Sequence, residues 1–506
     1  MIHVCRTPHL LAATSIGLLS ALIVGCGDDP AEDDPTSGPG ASSSIGGGSS
    51  NGSGGGSTTG GNGTGAGGMA TGGECAAFYP DTIEGFFAAP DGSADGDGSE
   101  ANPWDLATAF AQPAALQPGG TLWLRGGVYE GAFQSKLVGE SGAPITVRSY
   151  PGEWAVIDGA ASPDETFLAG GSWTIYRDFE ITNTTEERYG GRATGTGITG
   201  KNLKLINLLI HDTGNNGFWE TALELELYGC LIYENGYDDD DRAHGHGVYT
   251  QNLEGRKHIV DNAIFNGYSF GIHAYTEGGH IDNFDIIGNF WWSSGVAAAG
   301  VDTRKDDCLV GGLQPASGIV LEENVSWAAS PSGRSTRLGY SAPGNKDVTL
   351  TGNFFAGATS FPTPWESITM TGNTFIGEVN GVSAADYPDN EWLSEPPSAP
   401  TVIVRPNQYE EGRAHVAVFN WQEADTVDVD LGDLLPIGRG FEIRNIQDYF
   451  GEAVFSGVYD GKPIPLPMDL QPAQPIGVPD AIADSEKTGK RFNAFIVLPT
   501  RCLPGQ

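Results

Sequence analysis

The sequence predicts an all-β chain: a stack of short three-strand coils followed by a small antiparallel β-sandwich. Three observations carry this. After residue 120 helical periodicity is nearly absent, while short Ile, Val, Leu and Phe runs punctuated by Gly and Asn recur throughout, as strands and turns require. Those runs repeat behind a turn residue: "NLLI" at Asn207, "GCLI" at Gly229, "NAIF" at Asn262, "NFWW" at Asn289, "NVSW" at Asn324, "NFFA" at Asn353 and "NTFI" at Asn373. Beyond the Pro-rich "SEPPSAP" at 394–400 the pattern changes to clean alternation, as in "HVAVFNWQEADTVDVDL" and "GFEIRNIQDYFG".

The first element is a targeting segment. Residues 1–26 carry Arg6, an apolar stretch from Leu10 to Val24, and then Gly25-Cys26. "IVGC" resembles the lipobox of bacterial lipoproteins, which implies export and a lipid anchor on Cys26 at the outer membrane or cell surface. A plain cleaved secretion signal is the alternative, and both readings take the chain out of the cytoplasm. Residues 27–74 are almost wholly Gly, Ser, Thr, Asn, Asp and Pro, too polar to offset the entropy of ordering, and read as a flexible tether.

The formal charge of -38 argues against nucleic acid as a partner and against electrostatic docking on anionic membranes. It also disfavours polyanionic glycans unless a cation bridges. Export permits disulfides. Cys75, Cys230, Cys308 and Cys502 allow three pairings, and because Cys75 and Cys502 bracket the folded region, that pair is favoured. No second segment is long and apolar enough to span a bilayer.

The repeat occupies residues 75–392. Successive members are 22, 33, 27, 35, 29 and 20 residues apart, a floor near 20 with variable excess. Three strands of about five residues joined by short turns fill about 20 residues, and longer loops can be inserted at any turn. Alternating aliphatics in "DVTLTGN" and "SITMTGN" point inward at period two. Asn tolerates a left-handed turn, and its amide can bond to the Asn one coil above. Stacking buries a core that no single repeat makes.

This combination resembles the right-handed parallel β-helix of the pectate lyase-like superfamily over roughly residues 78–385. The entry "ANPWDLATAFAQPAALQPGGTLWLRGGVYEG" is similar to that family's N-terminal capping helix and first strand, and "APITVRSYPGEWAVIDG" to its first full coil. The resemblance implies a fold shared by lyases, hydrolases, epimerases and non-catalytic surface proteins. Residues 398–506 are similar to the sandwich modules appended to glycan-degrading enzymes. Two roles compete for them: a cap on the C-terminal end of the stack, or glycan binding.

A Gly-aliphatic start marks a second ladder: "GITG" at Gly197, "GFWE" at Gly217, "GVYT" at Gly247, "GIHA" at Gly271 and "GVAA" at Gly295. With each aliphatic inward, Thr199, Trp219, Tyr249, His273 and Ala297 face outward in one column, joined by Gln251 and Tyr275. Sugar rings stack on aromatics while their hydroxyls bond polar groups, so Trp219, Gln251, His273, Tyr275 and the adjacent Glu220 are expected to bind substrate. A packing surface for inserted loops is the alternative.

The insert "YDDDDRAHGH" supplies Asp238, Asp239, Asp240, Asp241, Arg242, His244 and His246. Its aspartates are expected to hold Ca²⁺. In extended chain His244 and His246 share a face, and with an Asp they are a weaker candidate for a transition metal. A solvated acidic loop is the remaining alternative. As a base in β-elimination, His246, Tyr249, Arg242 or Lys201 would serve, with His244 beside them. Hydrolysis needs two carboxylates across the bond, from Glu220, Glu224, Asp238 to Asp241 or Glu277. "HDTGNN" at His211–Asn216 is a second-tier contributor. None of the signatures of polygalacturonases, pectate lyases or alginate epimerases stands here, so no catalytic residue is carried over. The expected function is an exported, surface-anchored protein acting on polysaccharide as a lyase or glycoside hydrolase. The alternative is a non-catalytic glycan-binding or adhesin-type protein.

Overall fold

Three parallel sheets wind around one core. In the computed structural model, which describes residues 83–160, 162–298, 305–478 and 488–500, each coil gives one short strand to each sheet. One coil runs Lys204–Ile206, Leu209–His211, Phe218–Glu220 before the chain steps up to the next. The first sheet has eleven strands, from Phe86–Ala88 to Trp365–Thr371; the second has eleven, from Gly127–Glu130 to Glu391–Leu393; the third has ten, from Phe133–Ser135 to Val379–Asn380. The fold is a right-handed parallel β-helix. The signal segment, the tether, Cys26, Cys75 and Cys502 lie outside the described residues; Cys230 and Cys308 are free and buried.

Strand alternation builds the core. On the second sheet Ile181, Ile210, Ile232, Ile264 and Trp291 lie in direct register and are fully buried. Each such aliphatic side chain contributes about 1.5–3 kcal/mol relative to exposure. The expected helix closes the N-terminal end: Asp105 caps Leu106–Phe110 by accepting from Thr108 N at 2.7 Å, and Phe110 lies against Phe167 and Tyr176.

The asparagine ladder is real, but the sequence reading slips by one residue at its first two members. Asn262, Asn289, Asn324, Asn353, Asn373 and Asn390 stack, each amide Nδ2 donating to the Oδ1 of the next at 2.7–3.1 Å. Their register partner in the preceding coil is Cys230, which donates its N–H to Asn262 Oδ1 at 2.9 Å. Asn207 and Gly229 belong to the adjacent column with Asp261, Gly288, Glu323, Gly352 and Gly372, all at positive φ. The two talents of Asn, left-handed backbone and amide stacking, are thus divided between neighbouring residues.

The C-terminal unit pairs a five-stranded antiparallel sheet, in the order Thr401–Pro406, Ala414–Phe419, Phe492–Pro499, Gly440–Asn445, Phe455–Val458, with the two-stranded ribbon of Thr426–Val429 and Ile464–Pro467. Val416, Val418, Phe441, Ile443, Phe495 and Val497 face the ribbon's Val427, Val429, Ile464 and Leu466. The opposite face docks on the side of the stack, a position that neither of the two expected roles specified. Ala417, Phe419, Ile446, Phe492, Ala494 and Ile496 pack along the flank of the β-helix, on the outer side of the second sheet from Leu209 to Ile376. Trp327 stacks on Phe492 with centroids 5.5 Å apart, and Arg405 reaches Asp261 Oδ1 at 2.8 Å and Glu323. Among the described residues no helix is long and apolar enough to cross a membrane.

Candidate functional site

The outward column of the third sheet reads Leu168, Gly197, Trp219, Tyr249, His273, Leu309, Arg337. Trp219, Tyr249 and His273 stand where the sequence placed them, with Val248 and Thr250 turned into the core. Thr199 and Ala297 do not. In the strand Thr196–Ile198 the glycine is itself the outward residue, and "GVAA" belongs to the loop before the true next rung, Cys308–Val310.

Around His273 the rings close into a cluster. His273 Nδ1 lies 3.2 Å from His246 Nε2; the ring stacks on Phe270 at 4.3 Å and on Tyr275 at 4.7 Å, and Tyr249 is 5.4 Å away. His246 also meets Tyr249 at 5.3 Å, and Tyr340 meets Tyr275 edge-on at 5.5 Å. Cations flank the rings: Lys305 Nζ over Phe270 at 5.8 Å, and Arg337 over Tyr340 at 5.0 Å. Burial, then the neighbouring charges of His246, Arg242, Arg337 and Lys305, hold the His273 pKa well below the usual imidazole value. The ring is therefore neutral near pH 7, one nitrogen donating and one accepting. Trp219, His246 and Tyr249 are half-buried, and they offer the column's ring surface to solvent.

Other expected residues are placed elsewhere. Glu220 follows Trp219 in the strand, so the pleat turns it inward, 2% exposed, where it accepts from Lys257 Nζ and Thr250 Oγ1 inside the core. It cannot touch a ligand on the outer face. Burial raises its carboxyl pKa and lowers that of Lys257, each against the pull of the other. Gln251 is half-buried and accepts from Thr276 Oγ1 at 3.1 Å. Glu277 is exposed beyond the strand, in a turn where Gln314 Nε2 donates to its backbone carbonyl at 3.0 Å.

The histidines of "HGH" turn to different neighbours. Gly245 between them has φ +96°, breaking the extended alternation on which a common face depends. His244 stacks on Tyr237 at 4.9 Å and its Nε2 meets Asp241 Oδ1 at 3.0 Å, whereas His246 turns to His273. The four aspartates also part company. Asp238 lies in the hairpin of Tyr237–Asp238 with Ala243–His244, and Asp240 accepts from the Tyr189 hydroxyl. Asp239, Asp241 and His244 offer ligand atoms within 4.8 Å of one another. One imidazole among two carboxylates suits a borderline metal better than Ca²⁺, which takes six to eight oxygens. Sequence reading missed Phe270, Lys305, Arg337 and Tyr340; Arg337 was legible in principle, as the rung residue of "RSTRL".

The architecture defines a right-handed parallel β-helix protein with an aromatic and imidazole column on one solvent-facing sheet. Residues 86–267 match the family described as Pel9A-like, right-handed β-helix region. Among solved structures, pectate lyase Pel9A is similar at 16% identity and TM-score 0.41, over 63% of this chain and 83% of that one. An alginate lyase from Paenibacillus sp. str. FPU-7 is similar at 14% and 0.37, over 57% and 96%. XylC in complex with xylose is similar at 10% and 0.42, over 82% and 100%. No curated protein matches the sequence.

Proposed function

We infer that the protein is exported, anchored through Cys26, and acts on polysaccharide at the third-sheet column. The observation that supports this most is the run Trp219, Tyr249, His273 on consecutive coils with His246 against it. Coils repeat every 4.7–4.9 Å or so, a spacing close to that of successive sugar rings, so one chain can lie across several rungs.

β-Elimination is the chemistry this set supports best. A neutral imidazole is a competent base near pH 7. His246, the half-buried member of the pair, would take the proton next to a uronate carboxyl with His273 orienting it, Arg337 or Lys305 would stabilise the carboxylate as charge develops, and the Tyr249 hydroxyl would protonate the departing oxygen. The carbon–hydrogen and carbon–oxygen bonds break, a carbon–carbon double bond forms, and no water is consumed. Hydrolysis fits less well, because Glu220 is locked inside the core and Glu277 lies beyond the strand. The burial of His273, at 3% exposed, favours a second reading in which the column binds glycan without turnover. A divalent cation would be held by Asp239, Asp241 and His244, and in equilibrium dialysis Zn²⁺ should compete effectively with Ca²⁺ there.

A uronate panel tests the reading. Product absorbing in the ultraviolet, the signature of a conjugated unsaturated uronate, with loss in His246→Ala, supports elimination. New reducing ends without that absorbance refute it in favour of hydrolysis. Glycan binding without either supports the binding-only reading, and silence in both assays sinks the polysaccharide assignment. Metabolic palmitate labelling lost in Cys26→Ser tests the anchor.

A further inference from the structure

The acidic insert is held from outside its own coil. Asp238 N donates to Arg188 O at 2.9 Å, Gly190 N donates to Asp238 O at 2.9 Å, and the Tyr189 hydroxyl donates to Asp240. Arg188 is anchored beneath. Its buried guanidinium donates to Asp212 Oδ1 at 3.0 Å, to Asp212 O at 3.0 Å and to Glu234 O at 2.6 Å, and lies over the Tyr268 ring at 4.9 Å.

The same Asp212 oxygen takes a bond from the other end of the chain. Ile476 N donates to Asp212 Oδ1 at 2.7 Å, and Val478 packs against Ala243, Tyr268, Ala297 and Ala298 at the base of the insert. Residues 471–478 are tied back to the sandwich by Ala473 N to Gln447 O at 2.7 Å and Asn445 Nδ2 to Gln471 O at 3.2 Å. A single carboxylate oxygen thus joins Arg188, whose loop braces the insert, to a strap from the accessory domain. Buried, charge-assisted bonds of this kind are short, directional and costly to break one at a time.

We propose that Arg188 and Asp212 are positioning residues for the cleft, and that the sandwich, through residues 471–478, sets where the hairpin 237–244 sits beside it. The proposal rests on reading that hairpin as a wall of the glycan cleft. It gives the sandwich a role neither as an end cap nor as a separate glycan-binding module. The hairpin leads directly into His246, so its placement fixes the approach of that imidazole to His273.

Ile476→Pro in the full chain is the decisive variant. Pro475 to Val478 form a tight turn closed by Val478 N to Pro475 O at 3.2 Å, with Gly477 at φ +84°. Position 476 of such a turn accepts the backbone of proline, which removes the N–H that reaches Asp212 and puts a ring carbon in its place. Hydrogen–deuterium exchange by mass spectrometry should show the 237–244 amides exchanging about ten-fold faster or more. Exchange in 204–206 and 226–228, and the melting temperature, should stay as in the unsubstituted chain. Arg188→Lys, which keeps the charge and loses the fork, should reproduce the local effect. Unchanged hairpin exchange, or a uniform rise along all coils, overturns the proposal. Where a glycan has been identified, Ile476→Pro should weaken it several-fold. A parent chain that binds no glycan sinks the cleft reading alone, while hairpin exchange still decides the latch.

Discussion

Raising the pH from 6.5 towards 10 should remove stability that His211 supplies. The ring is buried, stacked on Tyr233 at 4.8 Å, and held between two carboxylates, Nδ1 to Asp212 Oδ2 at 2.9 Å and Nε2 to Glu180 Oε1 at 3.1 Å. Burial alone would depress its pKa, but the hydrogen bonds and charges of Asp212 and Glu180 prevail and push it up to about 10. The folded state therefore keeps a proton that the unfolded chain, titrating near 6.5, gives up earlier. The contribution is complete below pH 6.5 and is lost as pH rises through 10. Each pH unit in that window is worth about 1.4 kcal/mol, so the whole interval carries up to about 5 kcal/mol. Denaturant unfolding of the parent chain and His211→Gln at pH 6, 8 and 10 isolates this group, because the other titrations largely cancel in the difference. The penalty of the substitution should be greatest at pH 6 and shrink at each step. A penalty that is independent of pH, or that grows with it, refutes the assignment of His211 as a buried cation.

Three further outcomes are expected. Trp219→Ala should weaken glycan affinity about ten-fold with an unchanged melting temperature, since a half-buried stacking ring is worth about 1–2 kcal/mol; equal affinity by calorimetry would remove it from the cleft. Lys257→Met alone should cost about 3–5 kcal/mol by leaving Glu220 buried without its cation, while Glu220→Gln with Lys257→Met should recover most of that loss in the same denaturant assay. Asn324→Ala, which deletes the bonds to Ile286 O at 2.7 Å and Asn353 Oδ1 at 2.9 Å and takes the acceptor from the Asn289 backbone N–H, should cost about 3 kcal/mol; Asn207→Ala, outside the ladder, should cost less.

Much of the fold is legible because a stacked coil imposes the same demand at every turn. Asn262, Asn289, Asn324, Asn353 and Asn373 recur because each amide needs another above it, and that regularity survives variable loops. The one-residue slip at Asn207 and Gly229 arose because Asn also serves in the left-handed column, and sequence does not say which of its roles is in use. The site was half legible for a similar reason. Trp219, Tyr249 and His273 follow from the period of the rungs, but "GVAA" copies the rung motif inside a loop, and Glu220 was assigned by proximity where the pleat decides. His244 and His246 were parted by the left-handed Gly245, which spacing alone does not reveal. The flank docking of the sandwich left a signal in "NFWW" and "NVSW": strands apolar on both faces have both faces covered.

That covered flank has a consequence for how the protein is made. Phe265, Trp292 and Trp327 form an outward aromatic stripe on the second sheet, covered by the C-terminal domain through Phe419, Phe492, Ile446 and their neighbours. The β-helix precedes its cover in the chain, so during synthesis its coils stand with a sticky stripe unsheathed until the strand Phe492–Pro499 has emerged and joined. A chain stopped near residue 398 would be expected to self-associate through this stripe, so the terminal strand is in effect the latch of biogenesis.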